Sequence, residues 1–146
     1  MTGSTTHTPR PPFVPDPSDL AAFYWDGARE GELRIQRCDH CGLFVHYPRP
    51  VCRACLGRSL TPTAVSGRGE VHAFTVLEQP FHPFFADEVP YVVALVELEE
   101  QAGLRVLANV VGCAIDEVAT GMAVEVTFKE LSADLTVPAF RPRGTE

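Results

Sequence analysis

Four of the five cysteines in this 146-residue chain fall in two matched pairs, Cys38-Asp39-His40-Cys41 and Cys52-Arg53-Ala54-Cys55, with ten residues between the pairs. Two residues between paired cysteines let each pair close a tight turn with both sulfurs facing one point. Four thiolates so presented satisfy a tetrahedral metal, and Zn²⁺ held this way has no coordination position left for a substrate. The expected role of the ion is therefore to hold the fold rather than to perform chemistry. Disulfides or a redox dithiol are the alternatives, and neither accounts for two matched knuckles. Iron is a weaker candidate for the same four sulfurs and would imply electron transfer. Gly42 after the first pair suits a turn that needs positive φ, whereas in the second pair Leu56 comes first and Gly57 follows. His40 and His46 are near enough to be weighed as ligands, but the cysteines already saturate the site, so both are expected to be exposed or locally hydrogen-bonded.

Little else in the chain has the spacing of a catalytic group. Cys113 sits among Val110, Val111, Gly112 and Ala114 with no histidine near it in sequence, and reads as a small buried hydrophobe. His82 is chemically able to move a proton, but no carboxylate or nucleophile is spaced to work with it. Asp116 and Glu117 are adjacent on a predicted turn, where they point apart into solvent. Arg68, Arg105, Arg141 and Arg143 are the cations available to meet a phosphate such as that of coenzyme A, although solvated surface arginines are commoner. No nucleophile–base pair, open metal position or paired carboxylate emerges, so no catalytic residue is assigned.

The elements that must position the cysteines can be read around them. Residues 1–17 carry five prolines among small polar residues and are expected to be a flexible tail. Residues 18–31 are expected to be a helix, with Ser18 as N-cap, Leu20, Phe23 and Tyr24 at helical spacing, and Gly31 as the stop. Its aromatic face either packs on the chain's own β modules or docks a partner. Leu33 and Ile35 alternate with Arg34 and Gln36 before the first knuckle, and Leu43 to Tyr47 forms a second short strand. Strand, knuckle, strand, knuckle is the pattern of a zinc ribbon over 32–65.

From 66 to 141 the pattern is β, with strands expected at Val71–Leu77, Tyr91–Leu98, Leu104–Val111, Ala123–Leu131 and Thr136–Phe140. Glu99–Gly103 reads as a hairpin turn, and a brief helical turn at Ile115–Ala119 falls between the third and fourth strands. That order matches an OB-fold, the small Greek-key barrel. Residues 142–146 form a short tail. The connection Glu78–Pro90 is long and apolar, and Phe81, Phe84 and Phe85 in it need burial, either as a lid on their own barrel or ribbon or as contacts to a partner or ligand.

A helix, a four-cysteine ribbon and an OB barrel in that order resemble the DUF35 family of rubredoxin-like zinc-ribbon plus OB-fold, acyl-CoA-associated proteins. The likeness covers about residues 18–141. It rests on Gly31-Glu32-Leu33 through Cys38-x-x-Cys41-Gly42, Pro48-Arg49 before Cys52-x-x-Cys55, and Ser66-Gly67-Arg68-Gly69. It also includes Pro90 through Leu98, Gly121-Met122, and Pro138-Ala139-Phe140. The resemblance implies a mainly β chain with an N-terminal helix, a rubredoxin-like ribbon and a five-stranded barrel. Zinc is expected on Cys38, Cys41, Cys52 and Cys55. It implies a non-catalytic subunit of a heteromeric complex with a thiolase-fold enzyme, such as an aldolase splitting a β-hydroxyacyl-CoA in steroid side-chain degradation, or a thiolase. A MaoC-like enoyl-CoA hydratase is the alternative partner. The chain would be either a stand-alone relative or one domain of a longer subunit. Contacts to the partner or to acyl-CoA are expected from Phe81, His82, Phe84, Phe85, Phe23 and Tyr24.

Bulk properties agree. A net charge of −7, with Lys129 the only lysine, disfavours a polyanionic partner, so a single-strand nucleic-acid-binding OB protein is the weaker rival. No apolar run reaches the length a bilayer requires and no signal-peptide layout opens the chain, so a cytoplasmic protein with reduced thiols is expected.

Overall fold

The computed structural model describes residues 15–16 and 19–144. The proline-rich tail and the Ser18 cap fall outside them, apart from Pro15 and Asp16. The chain first turns, with the Asp19 N–H donating to Asp16 O and the Ala22 N–H to Asp19 O. Helix α1 then runs only over Ala22–Arg29, so the expected helix is shortened at both ends. Its C-terminus closes as anticipated at Gly31, whose φ is 79°. The Gly31 N–H donates to Ala28 O at 3.2 Å and the Glu32 N–H to Gly27 O at 2.8 Å, the paired bonds that terminate helices through a left-handed residue. Gly27, a weak helix former by propensity, is explained by this turn. A Cβ there would lie 2.8 Å from Glu32 O and 2.9 Å from Arg34 Cδ.

A three-stranded antiparallel sheet follows, in the order β2-β1-β3, from β1 (Arg34–Cys38), β2 (Phe44–Val45) and β3 (Leu60–Ala64). The third strand was not expected. Leu60-Thr61-Pro62-Thr63 lacks apolar alternation, and Pro62 argues against a strand, yet an edge strand tolerates a proline because one of its sides needs no donors. Pro62 sits opposite Gln36 on that edge.

The rest is a closed barrel in the order β4-β5-β6-β8-β7, formed by β4 (Arg68–Leu77), β5 (Tyr91–Leu98), β6 (Arg105–Val110), β7 (Ala123–Ser132) and β8 (Leu135–Pro142). The short 3-10 turn Ile115–Glu117 lies between β6 and β7, where the OB order requires it, and both of its acids are exposed. Strand β5 buries Val92, Ala94, Val96 and Leu98, the period-2 signature of a sheet with one face on a core. Gly69 permits the tight start of the barrel. A Cβ on it would stand 2.2 Å from Glu97 O in the neighbouring strand.

One hydrophobic cluster runs through helix, ribbon and barrel, joining Tyr24, Leu33, Ile35 and Phe44 to Val71, Val96, Val106, Val124 and Phe140. Helix α1 reaches it by packing on β1, β7 and β8. The ribbon is also tied to the barrel by a side chain. Gln101, at the tip of the β5–β6 hairpin, accepts the Phe44 N–H at 2.9 Å and donates to Phe44 O at 3.0 Å, pairing with β2 as a neighbouring strand would. On the same tip, the carboxylates of Glu99 and Glu100 accept from Ser66, in the segment joining ribbon to barrel.

Candidate metal centre and contact cleft

The two knuckles have the same backbone. The Cys38 N–H donates to Leu43 O and the Cys52 N–H to Gly57 O, both at 2.8 Å, while the Gly42 and Leu56 N–H groups donate to Cys38 O and Cys52 O. Gly42 and Leu56 are therefore equivalent, and both take positive φ, 76° and 62°. Leucine takes a conformation that suits glycine, and the glycine of the second knuckle is placed one residue later, where space requires it. A Cβ on Gly57 would meet His40 Cδ2 at 2.8 Å and Cys55 Sγ at 3.2 Å.

This backbone brings the four sulfurs of Cys38, Cys41, Cys52 and Cys55 within 4.8 Å of one another. Cys38 Sγ lies 3.5 Å from Cys55 Sγ, and Cys41 Sγ 3.7 Å from Cys52 Sγ. A disulfide needs about 2.05 Å. Sulfurs at the corners of a tetrahedron around an ion with bonds of about 2.3 Å would be about 3.8 Å apart, so the spacing fits a metal and not a cystine. The backbone favours thiolates at one cysteine of each knuckle. N–H groups of Cys41 and His40 lower the Cys38 thiol, and those of Cys55 and Ala54 bring Cys52 down to about 6. At Cys55 the Gly57 N–H is outweighed by the neighbouring sulfurs of Cys38, Cys41 and Cys52 together with burial, which push that thiol up to about 11. The four cysteines are positioned for metal binding, and together they would supply all four ligands of a tetrahedral ion.

Neither nearby histidine takes part in that cluster. His40 is exposed, as expected. His46 is neither exposed nor hydrogen-bonded. It stacks between Tyr24 and Tyr47, at centroid distances of 5.3 and 4.3 Å, and its Nε2 is buried without a partner. Burial pushes its pKa down to about 4. The same burial, helped by Tyr47, raises that of Tyr24 above the ordinary phenol range. Cys113 is half-buried against the core rather than fully enclosed.

The second feature is an apolar cleft of about 260 Å³. It arises because β6 and β8 pair only at Asn109–Ala139 and Val110–Phe140. Below that contact the strands diverge, and helix α1 and the 78–90 loop close the gap. Tyr24 and Trp25 from the helix, Phe85 from the loop, Leu107 from β6 and Val137 from β8 line it. An ion pair between Lys129 Nζ and Glu88 Oε2, 2.7 Å long, adds polar side chains to the lining.

The structure thus brings two of the anticipated contact residues, Tyr24 and Phe85, to one cleft and disperses the others. Phe23 packs against the core, and Phe84 meets Phe85 edge-on at 5.0 Å. His82 Nδ1 accepts the Phe84 N–H and caps the 3-10 turn Pro83–Phe85, a structural use of its ring. Phe81 is 78% exposed, so of the two expectations for the loop phenylalanines, a lid on their own modules or a contact surface, it does not fit the lid. Trp25 and Gln101 were missed. The tryptophan, adjacent to the aromatic pair, was a usable signal, whereas nothing in the sequence marks a hairpin-tip glutamine as a strand mimic. Three of the four arginines weighed for phosphate contact face carboxylates: Arg105 with Glu97, Arg141 with Glu125 and Arg143 with Glu99.

Among the described residues, no helix is long and apolar enough to cross a membrane. Residues 25–61 match the family model described as the ChsH2 rubredoxin-like zinc ribbon domain, and residues 62–129 match that of the ChsH2 C-terminal OB-fold domain. The chain is 38% identical over 128 residues, 88% of its length, to the 3-oxo-4,17-pregnadiene-20-carboxyl-CoA hydratase alpha subunit of Mycobacterium tuberculosis (strain ATCC 25618 / H37Rv). It spans less than two fifths of the hydratase alpha subunits it matches. A solved structure titled Ltp2-ChsH2(DUF35) aldolase superposes with a TM-score of 0.77 at 39% identity, over 91% of this chain and 98% of that one. A DUF35 domain-containing scaffold protein of Methanothermobacter thermautotrophicus (strain ATCC 29096 / DSM 1053 / JCM 10044 / NBRC 100330 / Delta H) is 36% identical over 100 residues, 68% of this chain and 73% of that protein. With ribbon and barrel both matched and most of a scaffold protein aligned, the chain belongs to the DUF35 family.

Proposed function

We propose that this chain is a non-catalytic zinc-ribbon and OB-fold subunit that binds and stabilises a thiolase-like acyl-CoA enzyme and helps form its acyl-CoA channel. The observation that carries the reading is the closed sulfur site. A metal with four thiolates has no open position to activate water or a carbonyl. Among the described residues, the one histidine with a cysteine cluster beside it, His40, faces thiolates committed to that ion. Zinc fits this role better than iron, because four knuckle thiolates around a redox-inert ion brace a small sheet and need no electron partner. Reduced thiols point to a reducing compartment such as the cytoplasm.

The likeness to the structure titled Ltp2-ChsH2(DUF35) aldolase, at a TM-score of 0.77 and 39% identity, supports an aldolase or lyase that splits a β-hydroxyacyl-CoA, with a steroid side chain as the acyl group, as the leading partner. A MaoC-like hydratase is the second reading, favoured by the names of those subunits. Phe81, His82, Phe84, Phe85, Phe23 and Tyr24 are the proposed contact set, with Tyr24 and Phe85 nearest the cleft.

The test is co-expression with any thiolase-fold or hydratase protein encoded beside this chain, then assay of each enzyme with and without it. Co-purification with the thiolase-fold protein, and retro-aldol cleavage that requires this chain, is the expected result. Thioester turnover by the isolated chain at an enzymatic rate would overturn the reading.

A further inference from the structure

In an antiparallel barrel the residues that do not fill the core face water and are ordinarily polar. Strand β5 breaks that rule. Its inward side chains are Val92, Ala94, Val96 and Leu98, but its outward ones include Tyr91, Val93 and Leu95. The register extends the apolar surface sideways. Ala73 and Leu107 flank Leu95, Thr75 flanks Val93, and Leu77 lies opposite Tyr91. The result is an apolar row, Ala73–Leu95–Leu107, across three strands. Leu107 is 51% exposed and also lines the cleft, so the row runs into it. At the far end of β4, Phe81 stands 78% exposed beside Thr75 and Leu77. Helix α1 packs on β7 and β8 and meets this face only at the cleft, through Tyr24 and Trp25.

The charges around this face select its occupant. Glu70, Glu78, Glu88 and Glu97 border it, against Arg105 and Lys129, which already pair with Glu97 and Glu88. Glu70 and Glu97 stand directly opposite each other at its end. A second copy of the chain would bring this acidic border against itself, since a two-fold interface opposes like patches. A different protein whose apolar ridge is flanked by lysines and arginines meets both the row and its border.

We infer that the outer face of β4, β5 and β6, running into the cleft, is the docking surface for a basic-rimmed apolar ridge on the partner enzyme. The inference rests on the subunit reading above and deepens it. It moves the centre of the interface from the aromatic helix to a barrel face. Leu95 and Leu107 become its anchors and Phe81 its edge.

The experiment measures affinity of the full zinc-loaded chain for the co-purifying enzyme, at about 50 mM and about 300 mM salt, for wild type, Leu107→Glu, Leu95→Ser and Glu70→Gln/Glu78→Gln. Zinc content and thermal unfolding are checked for each. Leu107→Glu and Leu95→Ser are expected to weaken binding by about thirtyfold or more, as loss of a central anchor does. The double neutralisation is expected to flatten the salt dependence. Arg141→Glu, on β8, is expected to bind like wild type. If wild type binds and Leu107→Glu and Leu95→Ser bind equally well, the surface inference is overturned and the subunit reading stands. If light scattering finds a wild-type dimer that Leu107→Glu disperses, the face is self-associating and the inference again falls. If the wild-type chain binds neither enzyme class, the subunit reading falls and takes the surface with it.

Discussion

Acid should destabilise this protein through one histidine before it reaches the carboxylates. His46 is enclosed between Tyr24 and Tyr47, with Nε2 buried and unpartnered, and its pKa falls from 6.5 to about 4. A depressed histidine is held neutral in the fold while the unfolded chain protonates it, so stability is complete above pH ~6.5 and falls as the pH drops towards ~4. At pH ~5 the unfolded chain is almost fully protonated at this site and the native one scarcely so. The difference, about 1.5 pH units at about 1.36 kcal/mol per unit, is about 2 kcal/mol. Urea unfolding of the zinc-loaded chain at pH ~7.5 and ~5 measures it, with His46→Phe as the comparison because it keeps a stacked ring and cannot be charged. Wild type should lose about 2 kcal/mol more than the variant over that interval. Protonation of the cysteine ligands affects both proteins alike and cancels. Equal losses in the two would refute the reasoning.

Gln101→Ala should cost about 1–3 kcal/mol by leaving the Phe44 N–H and C=O without partners, read as a lower urea midpoint with unchanged zinc content. Chelation of the metal should melt β1–β3, since ions of this kind contribute on the order of 10 kcal/mol to small modules. Hydrogen exchange should then quicken at Gln36 and Arg37 while Ala94 and Val96 stay protected. Gly69→Ala should abolish the native barrel or force β4 and β5 apart, because the new methyl would sit 2.2 Å from Glu97 O. Proton-detected spectra with shifted β5 resonances would reveal the rearrangement, and a wild-type spectrum would contradict it.

The barrel was largely legible because its strands carry their instructions locally. The near-continuous apolar, β-branched run of Tyr91–Leu98 and turn residues at Glu99–Gly103 need no distant neighbour to be read. The third ribbon strand was not, since Leu60–Ala64 becomes a strand only by pairing with β1, and its proline is harmless only at an edge. The helix stop at Gly31 was visible, while the late start at Ala22 depends on backbone bonds to Asp19 and Asp16 that propensity does not encode.

The four cysteines alone determined that a closed sulfur site exists, because two-residue knuckles impose the same short-range geometry in almost any fold. What they could not determine is what lies beyond the ion. The cleft exists because β6 and β8 meet at only two positions. The stacking of His46 needs residues 22 apart to converge, and Gln101 acts on Phe44 across 57 residues of chain. Such contacts form only when chain closure over long separations brings the groups together, so they are properties of the packed molecule and not of any stretch of its sequence.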